Sequence, residues 1–256
     1  MVYRCHYGRG ESNTDLPERT TTLQRVSFRR RIDAAELLDG PLLAGAELAG
    51  NLRDLDRVNG WLGGHWLVFE AVSALVTADA SMPITILDVG AGGGGGLRST
   101  LRRLGLSGHP CRGIMLDKSG AVLEIARRRP LPSAGLVRGD AIDLPMATRG
   151  VDIAQCSLML HHLAPPVAVR ALREMSRVSR LGIVIDDLLR GSLGYAGALL
   201  LSRLATRNRL TRHDAPLSVR RAYTMAELLG LLIRANLRPV WGAHIPGYRA
   251  VLAACP

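Results

Sequence analysis

Asp88 ends a short apolar run and begins a turn in which glycine dominates: in "ITILDVGAGGGGGLRSTL", Gly90 is followed by five consecutive glycines, Gly92 to Gly96. Such a turn suits a ligand cradle. Without Cβ atoms the chain can bend at positive φ, and a ligand can lie directly against the peptide groups. Two spacings coexist here. Gly90-x-Gly92-x-x-Gly95 satisfies a dinucleotide fingerprint, and Asp88-x-Gly90-x-Gly92-x-Gly94 satisfies a different one. Spacing alone leaves both open. A diphosphate is held at a helix N-terminus, where a preceding carboxylate is unwelcome, so Asp88 suits a cationic ligand better. Gly95 and Gly96 exceed what the second spacing needs and have no assigned role.

These residues need a scaffold, and the surrounding pattern supplies one. After Pro83, apolar runs ("ITILDVG", "CRGIMLD", "AGLVRGDA", "VDIAQCSL", "LGIVIDD") alternate with helical patterns ("LRSTLRRLG", "SGAVLEIARRR", "PPVAVRALREMSRVS"). Strands alternating with helices of about 10–15 residues predict an α/β fold with a doubly wound, mostly parallel sheet. "TMAELLGLLIRANL" predicts a further helix, with Thr224 as N-cap and Glu227 completing a capping box. "RPVWGAHIPGYRAVLAAC" predicts a closing hairpin, which gives an antiparallel C-terminal end. Upstream, Ile32 to about Thr77 has helical spacing broken at Gly60, Gly63 and Gly64.

The expected organisation is an irregular extension over 1–28, an N-terminal helical segment over 29–80 that packs on the core, and a main domain over 81–256. An insertion over about 188–222 interrupts the main domain. Its "LGYAGALLLSRLA" reads as an apolar helix able to cover an apolar ligand or touch a membrane surface.

Composition narrows the classes. The 256 residues carry 33 Lys and Arg against 22 Asp and Glu, a formal charge of +11, and Lys118 is the sole lysine. The arginines are dispersed, and aromatic residues make up 4% of the chain. Dispersed charge without stacking aromatics argues against specific nucleic-acid binding. Cys5, Cys111, Cys156 and Cys255 form no CxxC pair, so neither a metal site nor a disulfide framework is indicated, and reduced thiols in a cytoplasmic protein are expected. The N-terminal stretch lacks the apolar core of a secretory signal, and no run of eighteen apolar residues suggests a membrane span.

In their order the motifs resemble those of class I S-adenosylmethionine-dependent methyltransferases, of the small-molecule type. The resemblance rests on "DVGAGGG" from Asp88 to Gly94, on Asp117 ending the next strand in "GIMLDKS", on Asp140 in "LVRGDAIDLP", and on "VDIAQCSLMLHHL". It is strong over about residues 80–190. It implies a Rossmann-like fold with S-adenosyl-L-methionine as cofactor. Asp117 would then accept the ribose hydroxyls. Asp140 with the Ala141 amide would hold the adenine. Gly90, Ala91 and Gly92 would line the methionine portion, with Asp88 near its ammonium group, Ser157 beside it and Lys118 next to the ribose site. Asn59 would come from a lid.

For a hydroxyl acceptor a general base helps, and the candidates are His162, His213 and Asp214, with His161 adjacent. The insertion favours a small hydrophobic or aromatic acceptor (phenol, polyketide or quinone-like), with O-methylation ahead of C-methylation. A monomer or homodimer is expected, with weak contact to a membrane or hydrophobic substrate. The rivals are a nucleic-acid methyltransferase, a nicotinamide-dependent oxidoreductase and a non-catalytic cofactor-binding protein. "CSLML" stands where base-methylating enzymes carry an acidic residue or Asn before Pro-Pro and an aromatic, and Tyr-x-x-x-Lys is absent.

Overall fold

The computed structural model describes residues 27–40, 45–76 and 83–256. All but the last two residues of the expected 1–28 extension, and Cys5 with them, lie outside the described residues. The apolar runs become β1 (Ile84–Val89), β2 (Cys111–Asp117), β3 (Ala134–Arg138), β4 (Val151–Ser157) and β5 (Ser179–Leu188). The closing hairpin is β6 (Arg238–Ile245) and β7 (Arg249–Cys255). One seven-stranded sheet results, in the order β3-β2-β1-β4-β5-β7-β6. Neighbours from β3 to β5 are parallel, and β7 lies antiparallel between β5 and β6.

Helices cover both faces, which is why β1 and β4 read as continuous apolar runs: nearly every residue of each is buried. One core layer joins Leu87, Val89, Ala154 and Cys156 to Leu172 and Met175. The other joins Ile86 and Ile153 to Val68, Leu97 and Leu101. Cys156 is a small apolar core residue here, as its place in the strand pattern suggests.

Eight α-helices complete the described residues: α1 (Ala46–Trp61), α2 (Gly64–Ser73), α3 (Gly95–Leu106), α4 (Gly120–Arg127), α5 (Pro165–Val178), α6 (Ser192–Leu204), α7 (Arg209–Arg221) and α8 (Met225–Arg234). α5 opens on prolines at its first positions, where no intrahelical N–H is needed. At α8 the Thr224–Glu227 capping box forms in both directions. The expected helix from Ile32 onward is corrected. Residues 31–36 have no regular structure, and a single 3-10 turn, Leu37–Asp39, follows. The physical reason is tertiary. Asp214 Oδ1 and Oδ2 accept from the Leu37 and Leu38 amides at 2.8 and 3.0 Å, which satisfies a free turn rather than a helix. The insertion is helical, α6 and α7 packed on each other, and α7 also contacts α1. No described helix is long and apolar enough to cross a membrane.

Candidate active site

The strand order reverses between β1 and β4, and doubly wound sheets open a crevice beyond the carboxyl ends of strands at that point. The sequence places its chemistry there. The glycine turn leaves β1, Asp117 ends β2, Asp140 follows β3 and Ser157 ends β4. Gly90, Gly92 and Gly94 all take positive φ, at 70°, 55° and 74°. Asp117 ties the turn to β2: its Oδ2 accepts from the Gly92 amide at 3.1 Å and its Oδ1 from the Ser119 amide at 2.9 Å. Each oxygen keeps a lone pair free for a further donor. Burial pushes the Asp117 carboxyl above its usual range, against these bonds.

Asp140 sits further out. Its Oδ2 accepts from Lys118 Nζ at 2.8 Å, and this hydrogen bond holds its carboxyl below the usual range. The Lys118 side chain is 81% exposed, so the pair exchanges readily for another donor. Asp88 lies beneath the turn, 3% exposed, opposite Gln155 in the β1–β4 pairing. Burial pushes its carboxyl up to about 7.

α1 lies across the turn. A side chain added at Gly92 or Gly93 would come into van der Waals contact with Leu52. The Asp56 carboxylate packs so closely on Gly95 that any side chain there would collide with it. This gives Gly95 the role it lacked in the sequence: it admits a carboxylate to the N-terminal end of α3, where the helix dipole favours negative charge. Asn59, on the same helix, is buried and accepts from Arg249 Nη2 through its Oδ1. Its Oδ1 is thus engaged with β7, and the residue also lines the cavity next to the turn. The Ser157 hydroxyl likewise faces Asp186.

Beside this cleft is a cavity of about 480 Å³. α1, α6 and α7 enclose it with Leu55, Val58, Leu62, Leu193, Leu201 and Val219, and the β6–β7 turn adds Ile245 and Tyr248. Leu158, which lines it immediately after β4, is held at φ 53°, an uncommon state for a branched side chain. Polar groups enter from Glu36, His161, His162 and Asp214.

His162 and Asp214 therefore share one cavity. His213 does not line it; its ring is half exposed, and Nδ1 donates to Asp214 Oδ1 at 2.7 Å. Glu36 is the residue that sequence reading missed. It is 5% exposed, and burial pushes its carboxyl up to about 7. No local signal marks it as a site residue, since the histidines it faces, His161 and His162, are more than a hundred residues away in the chain.

Residues 86–182 match a family model described as a methyltransferase domain. An uncharacterized 37.1 kDa protein in transposon TN4556 of Streptomyces fradiae is 36% identical over 106 residues, 41% of this chain and 29% of that one. The match thus spans less than a third of that relative's length. A SAM-dependent methyltransferase from Aquifex aeolicus superposes with a TM-score of 0.53 at 17% identity, covering 80% of this chain and 97% of the other. An O-methyltransferase family 2 protein from Planctomyces limnophilus, solved in complex with apigenin, gives 0.54 at 19% identity, covering 84% and 63%. At such identities the structural likeness speaks to the fold.

Proposed function

We infer that this chain, whose central segment belongs to the class I S-adenosylmethionine-dependent methyltransferases, methylates a small hydrophobic or aromatic acceptor held in the cavity between α1, α6 and α7, and that the acceptor atom is oxygen. The observation that carries the reading is the join of two sites. A glycine cradle at the sheet's switch point adjoins an apolar cavity that presents histidines. The apigenin complex of the Planctomyces limnophilus protein supports a polyphenol-like acceptor class.

The donor chemistry at the crevice fits S-adenosylmethionine: carboxylates at Asp117 and Asp140 for hydroxyl and amino donors, and a backbone turn free of side chains at Gly90 and Gly92. Asp117 would take the ribose, with Lys118 swinging clear of Asp140 so that Asp140 and Ala141 take the adenine. Gly90, Ala91, Gly92 and Ser157 would border the methionine part. Asp88, from beneath, would bias the site toward a cationic group, and Asn59, which lines the cavity, would contribute from the lid.

When bound, the cofactor supplies an electrophilic methyl group on a sulfonium. The chain's own task is alignment and exclusion of water, which is where most of the acceleration of such a displacement arises. Leu52 and Asp56 close over the turn, and the aliphatic cavity wall fixes the acceptor's position. His162 donates Nδ1–H to Asp39 Oδ1 at 2.8 Å, so its Nε2 is the atom that can take a hydroxyl proton. Asp214 holds the Leu37–Asp39 turn that carries Asp39, and His213 supports Asp214.

Calorimetry with S-adenosylhomocysteine and with NAD tests the cofactor, and mass spectrometry of reactions with phenols, quinols and polyketide-type enols tests the acceptor. Saturable S-adenosylhomocysteine binding and a methyl ether product are expected. Saturable binding of NAD alone would sink the reading in favour of an oxidoreductase. A carbon-methylated product would overturn the assignment of oxygen.

A further inference from the structure

His161 and His162 stand side by side with ring centroids 4.3 Å apart. Each ring is fixed through its Nδ1. His161 donates to Asp187 Oδ1 at 2.6 Å and His162 to Asp39 Oδ1 at 2.8 Å. A carboxylate can only accept, so both Nδ1 atoms carry hydrogen, and Nε2 is the ring atom that each histidine turns toward Glu36. Both Nε2 atoms face the carboxylate of Glu36, at 3.8 Å from Oε1 and 3.8 Å from Oε2. That is too far for a hydrogen bond. Glu36 is 95% buried by its 5% exposure, and its Oε1 has no hydrogen-bond partner among the described residues. Arg221 Nη1 stands 3.3 Å from the same Oε1, so one carboxylate and two imidazole Nε2 atoms converge beside a single guanidinium.

We propose that Glu36, His161 and His162 form a binding site for one divalent transition-metal ion, open to the cavity on its remaining side. Two imidazoles and one carboxylate are a donor set suited to zinc, cobalt(II) or iron(II). One ligand atom from each residue lies within 4.8 Å of the others. A tetrahedral site with bonds of about 2.1 Å has edges of about 3.4 Å; the two nitrogen–carboxylate separations of 3.8 Å exceed that by a few tenths, and the remaining edge is within 4.8 Å.

The outer shell is also built. A carboxylate on the non-ligating nitrogen of each histidine is the arrangement that orients and strengthens imidazole ligands. The Asp187 carboxylate is itself held by the His161 and Leu188 amides at 2.9 and 2.7 Å. Four carboxylates (Glu36, Asp39, Asp187 and Asp214) surround the position against two guanidiniums, those of Arg221 and Arg31. Acidic groups thus outnumber the basic ones around the position.

An ion here would take over the task given above to His162, because coordination lowers the pKa of a hydroxyl oxygen without a base. That consequence rests on the cavity being the acceptor site; the metal site does not.

Full-length protein, stripped with a chelator, is titrated with Co²⁺ and followed by its visible d–d absorption, then with Zn²⁺ in competition. One equivalent of Co²⁺ with the absorption of a four- or five-coordinate ion, displaced by one equivalent of Zn²⁺, is expected. Affinity should fall at least tenfold in Glu36→Gln and His162→Ala, fall about tenfold in Asp39→Asn, and hold in His244→Ala, an exposed histidine on β6. S-adenosylhomocysteine binding, measured on each variant, reports that the fold survives. No saturable Co²⁺ or Zn²⁺ binding by the wild type would overturn the site, and so would unchanged affinity in a folded His162→Ala. Metal binding without S-adenosylhomocysteine binding would retain the site and refute the methyltransferase reading.

Discussion

Replacing Arg249 with methionine should destabilise the fold strongly above neutrality and only slightly in mild acid. Arg249 is fully buried on β7. Its Nη1 donates to Asp186 Oδ2 at 3.0 Å, its Nη2 reaches Asn59 Oδ1, and its guanidinium packs so closely on Gly64 that a side chain there would collide with it. One side chain therefore ties β7 to β5 and to both N-terminal helices. Burial pushes the Asp186 carboxyl from 3.8 to about 6 even with the arginine pulling it down. The folded value exceeds the unfolded one, so the fold already loses about 3 kcal/mol as pH rises from about 4 through 6.

Without the guanidinium the folded value climbs further, and the loss continues past neutrality. Near pH 5 Asp186 is mostly protonated in both proteins, and the difference should stay within about 1 kcal/mol. Near pH 8 a buried charge is left unpaired, and the difference should reach about 3–5 kcal/mol. Urea unfolding followed by circular dichroism at the two pH values measures both. The double variant Arg249→Met, Asp186→Leu should recover to within about 1 kcal/mol of the wild type at high pH. An equal loss at both pH values, or no recovery in the double variant, would refute the electrostatic account and leave Arg249 as packing alone.

Two predictions concern the cleft at the glycine turn. Gly92→Ala meets only Leu52 at 3.6 Å, so its cost to stability should be the left-handed backbone, about 1–2 kcal/mol, a melting shift of a few degrees. Its effect on S-adenosylhomocysteine affinity should be at least tenfold. Calorimetry beside thermal melting separates the two, and unchanged affinity would remove the turn from the site. Asp117→Ala should also weaken S-adenosylhomocysteine at least tenfold, because a charged acceptor is worth about 1.5–3 kcal/mol to its donors; affinity equal to wild type in calorimetry would cancel the ribose assignment.

The α/β alternation, the positive-φ turn after β1, the acids at the ends of β2 and β3 and the Thr224–Glu227 cap were legible in the sequence. Each is a short-range matter of strand period, turn chemistry or capping, settled within a few residues. Tertiary structure alone decided three other things. It pulled residues 32–39 out of the expected helix, because Asp214 accepts from the Leu37 and Leu38 amides. It gave Gly95 and Gly64 their purpose, because the groups that press on them, Asp56 and Arg249, arrive from other elements. It also set Glu36 against His161 and His162 across more than a hundred residues of chain. Periodicity carries no record of such distant meetings; they follow from how the sheet stacks its helices, and that is where the cavity beside the glycine turn takes its polar end.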